Sequence, residues 1–301
     1  MSAAPPPGFK AFRRKVNGIV LEGVEGGPAD GPLCILLHGF PEFWWGWRHQ
    51  LEPLAAAGSR VIAPDQRGYR RSSKPVSIRD YRLPDLGEDI VSLIEASGCR
   101  ETFIVGHDWG GVVAWWVAAR RPDLVSGLVI LNAPHPDVMR PYLTEHPTQL
   151  LRSAYVPFFQ LSFIPEALLR AFDFALLKQA LCRTSRPGTF SDRDLEIYAN
   201  AWREPGALSA MLNWYRALRH ESPEAGVVPV RTLVLWGERD EALQSGLAPA
   251  SLNRCKDGML RRFPDATHWL HLEEPKAVTA ATVEFLREAT RPRAGDVPSG
   301  A

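Results

Sequence analysis

The stretch Val105-Gly106-His107-Asp108-Trp109-Gly110-Gly111 sets one carboxylate among small residues, between an apolar run (Thr102-Phe103-Ile104-Val105) and a segment of helical character (Val112 to Ala119). One reactive side chain at a sharp strand-to-helix turn, with glycine neighbours that permit the turn, is the layout of a nucleophile elbow. The usual elbow carries serine; this one carries Asp108. A carboxylate nucleophile attacks carbon and leaves an ester on the protein.

Water must then hydrolyse that ester, which requires a base. A histidine suits this near neutral pH, and a carboxylate should orient it. Behind an elbow nucleophile the acid and then the histidine lie downstream in the chain. Asp240, in Trp236-Gly237-Glu238-Arg239-Asp240, and His268, in Ala266-Thr267-His268-Trp269, stand there. Both fall in loops expected at the carboxyl ends of strands. Glu238 and Glu241 remain alternatives for the acid, and His271 for the base. His38 and His107 read as loop-shaping residues, His135 as a turn residue, and His49, His146 and His220 as surface. The oxyanion of ester hydrolysis needs fixed donors. The expected ones are the backbone N–H groups of Trp109, next to the nucleophile, and of Phe40, in the loop His38-Gly39-Phe40-Pro41. A cis Phe40–Pro41 bond is expected to pin that loop.

Continuous apolar runs at Leu33–Leu37, Arg60–Ala63 (ended by Pro64), Thr102–Val105, Leu128–Leu131 and Arg231–Trp236 predict strands covered on both faces, with a shorter one at Met259–Phe263. Between them, helices are predicted from Trp47 to Ala57, from Leu83 to Ser97, after Val112, and from Pro275 to Glu288. This alternation predicts an α/β fold, a mostly parallel sheet flanked by helices. Residues 1–10 read as a flexible Pro-rich lead, and Lys15 to Gly23 as a weak strand. Residues 138–224 carry helical segments cut by prolines and no buried strand. The expected organisation is a first core part over 1–137, a helical cap (lid) over 138–224, a second core part over 225–290 and a disordered tail over 291–301.

The 301 residues are 45% hydrophobic and 23% charged, with a net charge of +1, an ordinary globular composition. So even a balance makes no case for nucleic acid or an anionic membrane surface. The four cysteines lack metal-ligand spacing and read as reduced, mostly buried thiols. Met1 to Gly8 lacks the apolar core of a signal peptide, and no apolar run reaches the roughly 18 residues that span a bilayer. A soluble, cytoplasmic chain is expected, with no metal and no organic cofactor. Of the ten tryptophans most should pack the core and some line an apolar pocket, Trp109 foremost because it adjoins the nucleophile.

Five stretches together resemble the epoxide hydrolases of the α/β-hydrolase superfamily, over about residues 12 to 288. They are His38-Gly39-Phe40-Pro41-Glu42; Asp65-Gln66-Arg67-Gly68-Tyr69 with Ser72-Ser73-Lys74-Pro75; Gly106 to Gly111; Trp236 to Asp240; and Thr267-His268-Trp269 with Glu274-Pro275. The resemblance implies an α/β-hydrolase fold with a helical lid inserted, and two lid tyrosines that hold and protonate an epoxide oxygen. Tyr155, in Tyr155-Val156-Pro157-Phe158-Phe159-Gln160, and Tyr215, in Asn213-Trp214-Tyr215, match those motifs. Both also sit on apolar helical stripes, so packing within the lid is the plain alternative. Where the family usually has Gly and a small or acidic residue after the tyrosine, this chain has Arg70-Arg71, which bears on loop shape or partner contacts. The implied partners are a small apolar epoxide and water, and the implied assembly a monomer or homodimer. Two other readings remain: a haloalkane or haloacid dehalogenase with the same nucleophile, and a non-catalytic ligand-binding protein of the same fold.

Overall fold

The chain's fully apolar runs fold into the central strands of one sheet. The computed structural model describes residues 3–99, 101–220 and 224–289; the expected tail over 291–301 lies outside the described residues. In chain order the elements are β1 (Phe9–Val16), β2 (Ile19–Gly26), β3 (Leu33–Leu37), α1 (Leu51–Ala56), β4 (Arg60–Asp65), α2 (Leu83–Ser97), β5 (Thr102–His107), α3 (Trp109–Arg120) and β6 (Gly127–Leu131). There follow α4 (Pro136–Glu145), α5 (Pro147–Arg152), α6 (Tyr155–Phe159), α7 (Ile164–Arg183), α8 (Asp192–Arg203) and α9 (Ala207–Ala217). The sheet resumes with β7 (Thr232–Gly237), α10 (Leu247–Leu252), β8 (Gly258–Phe263), α11 (Leu270–Glu273) and α12 (Pro275–Ala289).

The strand order is β1-β2-β4-β3-β5-β6-β7-β8. β1 and β2 pair antiparallel, as do β2 and β4; every other neighbouring pair is parallel. β3, β5, β6 and β7 are buried along their whole length, as strands covered on both faces must be. The strand order reverses around β3: the chain leaves it for β4 on one side and returns to β5 on the other. The loops after β3 and β5 therefore open at a topological switch point, where open α/β sheets hold their ligands. Those loops carry Phe40 and Asp108. This is the α/β-hydrolase fold, with the helices α4 to α9 inserted between β6 and β7.

Four local expectations need correction. The lead over 1–10 gives way to β1 at Phe9, and the weak strand near Lys15 to Gly23 is the turn and second arm of a hairpin. Asn17 (φ 42°) and Gly18 (φ 77°) supply the two left-handed residues that a two-residue hairpin turn requires. β4 does not stop at Pro64 but runs to Asp65. Gly23 stands opposite Pro64 and leaves it room, since a Cβ there would lie 2.7 Å from Pro64 Cα. The helix expected from Trp47 divides into a 3-10 turn at Trp44–Trp47 and the short α1. Of the cysteines only Cys34 is buried; Cys99 and Cys255 are half-buried and Cys182 is exposed, all as free thiols.

In the insert, Pro147 and Pro165 open α5 and α7 rather than cutting helices, as proline in a first turn does. α7 is instead interrupted where no proline stands: Phe172, Asp173 and Phe174 take φ values of 49°, 56° and 60°. Among the described residues no helix is long and apolar enough to cross a membrane.

Candidate active site

β5 delivers the chain to Asp108, whose backbone (φ 50°, ψ −124°) turns directly into α3. That turn works only with glycines around it. A Cβ on Gly106 would lie 2.6 Å from Gly110 O, and one on Gly110 2.2 Å from Leu37 O. A Cβ on Gly39 would lie 2.3 Å from Asp108 Cβ, so the loop after β3 also touches the elbow. The close approach lets the Phe40 N–H donate to Asp108 Oδ1 at 2.9 Å. The Phe40–Pro41 peptide in this loop is cis. Trp109 is the first residue of α3, so its N–H is one of the helix-start donors without an intrahelical acceptor.

His268 lies in the loop before α11. Its Nε2 is 3.5 Å from Asp108 Oδ2, and its Nδ1 is 2.7 Å from Asp240 Oδ2. Asp240, in the loop after β7, is held from three further directions. Ala242 N–H and Leu243 N–H donate to Oδ1 at 2.7 and 2.9 Å, and Asn132 Nδ2 donates to Oδ2 at 2.7 Å. The alternatives for acid and base are elsewhere. Glu238 pairs with Arg262, Glu241 is exposed, and His271 Nε2 lies 3.3 Å from Glu42.

Tyr155 and Tyr215 come from α6 and α9 and meet over the elbow. Their rings are 5.9 Å apart, edge to face. Tyr215 also stands edge-on to Trp109 and to Phe40, at 5.2 and 5.3 Å. Both tyrosines, Asp108 and Trp109 line one cavity of about 300 Å³. A larger surface groove, of about 1170 Å³ near His49, Pro53 and Thr279, holds none of these groups. The other six site positions expected from the sequence are thus gathered around Asp108.

Electrostatics divides the labour. Burial would raise Asp108, but the hydrogen bond and charge of His268, with the Phe40 N–H, hold it below the usual carboxylate range. Burial would lower His268, but Asp240 and Asp108 outweigh it and lift the imidazole well above its ordinary value. Tyr215 is buried and Tyr155 keeps 38% of its surface exposed; desolvation of each hydroxyl, together with nearby negative charge, pushes both up, so they stay protonated at neutral pH.

Several residues at the site escaped the sequence reading. Asn132 follows β6 directly and has φ 39°; its side chain also clasps Gly237, accepting from its N–H at 2.7 Å. Its place at the carboxyl end of a strand was the available signal. His107 does more than shape a loop: Nδ1 lies 3.1 Å from Glu42 Oε2 and Nε2 2.9 Å from the His268 carbonyl. The Tyr198 hydroxyl donates to Glu42 Oε1 at 3.0 Å. Burial would raise Glu42, yet His271 and His107 hold it well below its usual range, while burial pushes His271 down to about 4. Among the described residues Glu42, His107 and His271 are the group close enough to share an ion, their ligand atoms lying within 4.8 Å of one another. They already bond to each other and are fully enclosed. From α5, buried Gln149 donates to Ala242 O at 2.7 Å and accepts from Gln244 N–H at 2.8 Å, and Arg152 donates to Asp240 O at 2.7 Å. No sequence pattern marked these two.

Residues 32–275 match the model of the alpha/beta hydrolase fold family. The chain belongs to that family. It is 45% identical over 284 residues to the AB hydrolase superfamily protein YfhM of Bacillus subtilis, covering 93% of this chain and 99% of that one. Human epoxide hydrolase 4 is 37% identical over 286 residues, covering 93% of this chain and 79% of the relative. A solved structure from a study of epoxide hydrolases in metagenomes from hot environments superposes with a TM-score of 0.83 at 35% identity, over 92% of this chain and 98% of that one. Within the α/β-hydrolases the chain is therefore related to the epoxide hydrolases.

Gly110→Ala should lower stability by about 1–3 kcal/mol, because the new methyl meets backbone that cannot yield; a calorimetric melt unchanged from the wild type would contradict the packing described. Asp108→Asn removes one of the two charges that hold His268 protonated. The imidazole midpoint, followed by ¹⁵N NMR, should fall relative to the wild type, and an unshifted midpoint would refute this account of its electrostatics.

Proposed function

We infer that this protein hydrolyses epoxides to vicinal diols through an ester on Asp108. Phe40 holds Oδ1, which leaves Oδ2 to attack an oxirane carbon from the side opposite its oxygen. The carbon–oxygen bond breaks, and a hydroxyl of Tyr155 or Tyr215 gives its proton to the departing oxygen. Esterification removes the charge of Asp108, one of the two that keep the imidazole protonated; the imidazolium then gives its proton to the tyrosinate, and neutral His268 becomes available as a base. It takes a proton from water, and the resulting hydroxide adds to Cγ of the ester. The oxyanion that forms on Oδ1 is stabilised by the Phe40 and Trp109 N–H groups. Collapse expels the diol oxygen, which takes the proton His268 carries; the new Asp108 carboxylic acid then gives its proton to the imidazole, and Asp108 is a carboxylate again beside a cationic His268. The sum is epoxide plus water to diol, and the scheme calls for no metal or organic cofactor.

The observation that carries this reading is the pair of protonated tyrosines lining the same cavity as the carboxylate. An opening epoxide needs an acid at its oxygen; a departing halide needs N–H donors and no proton. At the position where a second halide donor would be wanted, Phe40 presents an apolar ring. The relatives named as epoxide hydrolases support the same choice.

Wild type should convert styrene oxide to phenylethanediol, and Asp108→Ala should not. His268→Gln should accumulate the ester, seen by intact-mass spectrometry as an adduct of substrate mass. Chloride release from haloalkanes without diol from any epoxide would overturn the proposal, as would a folded His268→Gln that turns over without an adduct.

A further inference from the structure

The cavity at Asp108 is lopsided. Its walls come from the start of α3 (Trp109, Val112), from α4 (Met139, Leu143) and α5 (Leu150), from α6 and α9, and from Leu243. Among the described residues that line it, none is Phe40, Phe159, Trp269 or Phe190. Those side chains are held in ring contacts beside the elbow and the tyrosines. Phe40 packs on Phe159 at 5.7 Å, Phe159 on Tyr155 and Tyr215 at 5.6 and 5.0 Å, and Phe190 on Trp269 at 5.4 Å. Trp269 is further fixed by its indole N–H, which donates to Thr184 Oγ1 at 2.9 Å.

The open side is also chemically uniform. Among the described residues that line the space, Ser153 is the one polar side chain apart from Asp108 and the two tyrosines, and none carries a positive charge. Its volume is about 300 Å³. A carboxylate arm placed there would be stripped of water beside Asp108 with nothing to pair it.

Resting on the epoxide reading above, we propose that the substrates are terminal, monosubstituted oxiranes whose single arm is neutral and apolar, aryl or short alkyl. The unsubstituted CH₂ faces the packed aromatic flank, and the arm fills the space bounded by Met139, Leu143, Leu150 and Leu218. A trans-1,2-disubstituted oxirane directs its second arm into the Phe40–Phe159 contact, and rejection there comes from a clash rather than from a missing attraction.

The test compares kcat/KM on the wild-type protein for styrene oxide, trans-stilbene oxide, 1,2-epoxyhexane and 5,6-epoxyhexanoate. Styrene oxide should exceed trans-stilbene oxide by roughly 100-fold or more, and 1,2-epoxyhexane should exceed the carboxylate analogue by at least about tenfold. Phe159→Ala opens the packed flank and should raise trans-stilbene oxide relative to styrene oxide. Met139→Trp fills the open side and should depress styrene oxide most. Comparable rates on styrene and trans-stilbene oxides, or a preference for the carboxylate, would overturn the substrate class while leaving epoxide hydrolysis in place. No diol from any of the four, and no adduct in His268→Gln, would overturn both.

Discussion

A carboxylate largely removed from water must stay ionised at Asp108, and the rest of the site is arranged around that requirement. Burial works against the charge. Three features oppose burial: the Phe40 N–H, the charged imidazole of His268 and the start of α3. Each depends on a close backbone approach. Phe40 reaches the carboxylate because Gly39 lacks a side chain, and α3 begins where it does because Gly106 and Gly110 let strand and helix touch. The glycines of the elbow are thus electrostatic devices as much as steric ones.

The same economy governs how the helical insert sits on the sheet. Many of its contacts with the core end on backbone or on groups that flank the site. Trp202 and Trp214 donate their indole N–H groups to the carbonyls of Pro41 and Arg67, at 2.7 and 2.9 Å. Tyr198 closes on Glu42, and Gln149 and Arg152 grip the loop that carries Asp240. Arg71, one of the two arginines that depart from the expected pattern, meets Glu204 of the insert at 3.0 Å. Its neighbour Arg70 turns inward, 3.2 Å from buried Asp65. Tyr155 begins three residues beyond Arg152, so the grip of α5 on the acid loop also fixes where the first tyrosine stands.

What the sequence disclosed follows from the range of each interaction. The elbow and the acid and histidine loops could be read locally because their chemistry admits few residue types, whereas the two tyrosines stood out only through the family resemblance, their apolar stripes alone reading as lid packing. The central strands were legible because burial on both faces leaves an unbroken apolar run. The β1–β2 hairpin was written locally too, in Asn17-Gly18, but its weak alternation hid the first arm. Asn132, Glu42 and Gln149 were not legible in the same way. Each acts through partners 65 to 229 positions away, and only the folded chain brings those partners into reach. Likewise the interruption of α7 at Ala171–Phe174 carries no glycine or proline to announce it.

The two halves of the proposed reaction place opposite demands on one imidazole, and the geometry explains how they are reconciled. While both carboxylates are charged, His268 is held as a cation and supports the ionised nucleophile. A cation cannot accept a proton, so water near the resting site is not activated. The ester removes the Asp108 charge and leaves Asp240 as the remaining partner, fixed by Asn132 and two backbone N–H groups. Base strength is then set by whether the first step has occurred, without any movement of His268. Asp240 needs its dense set of donors for this reason. It must keep its own charge, and its 2.7 Å bond to Nδ1, through a change that cancels the charge on the other side of the ring.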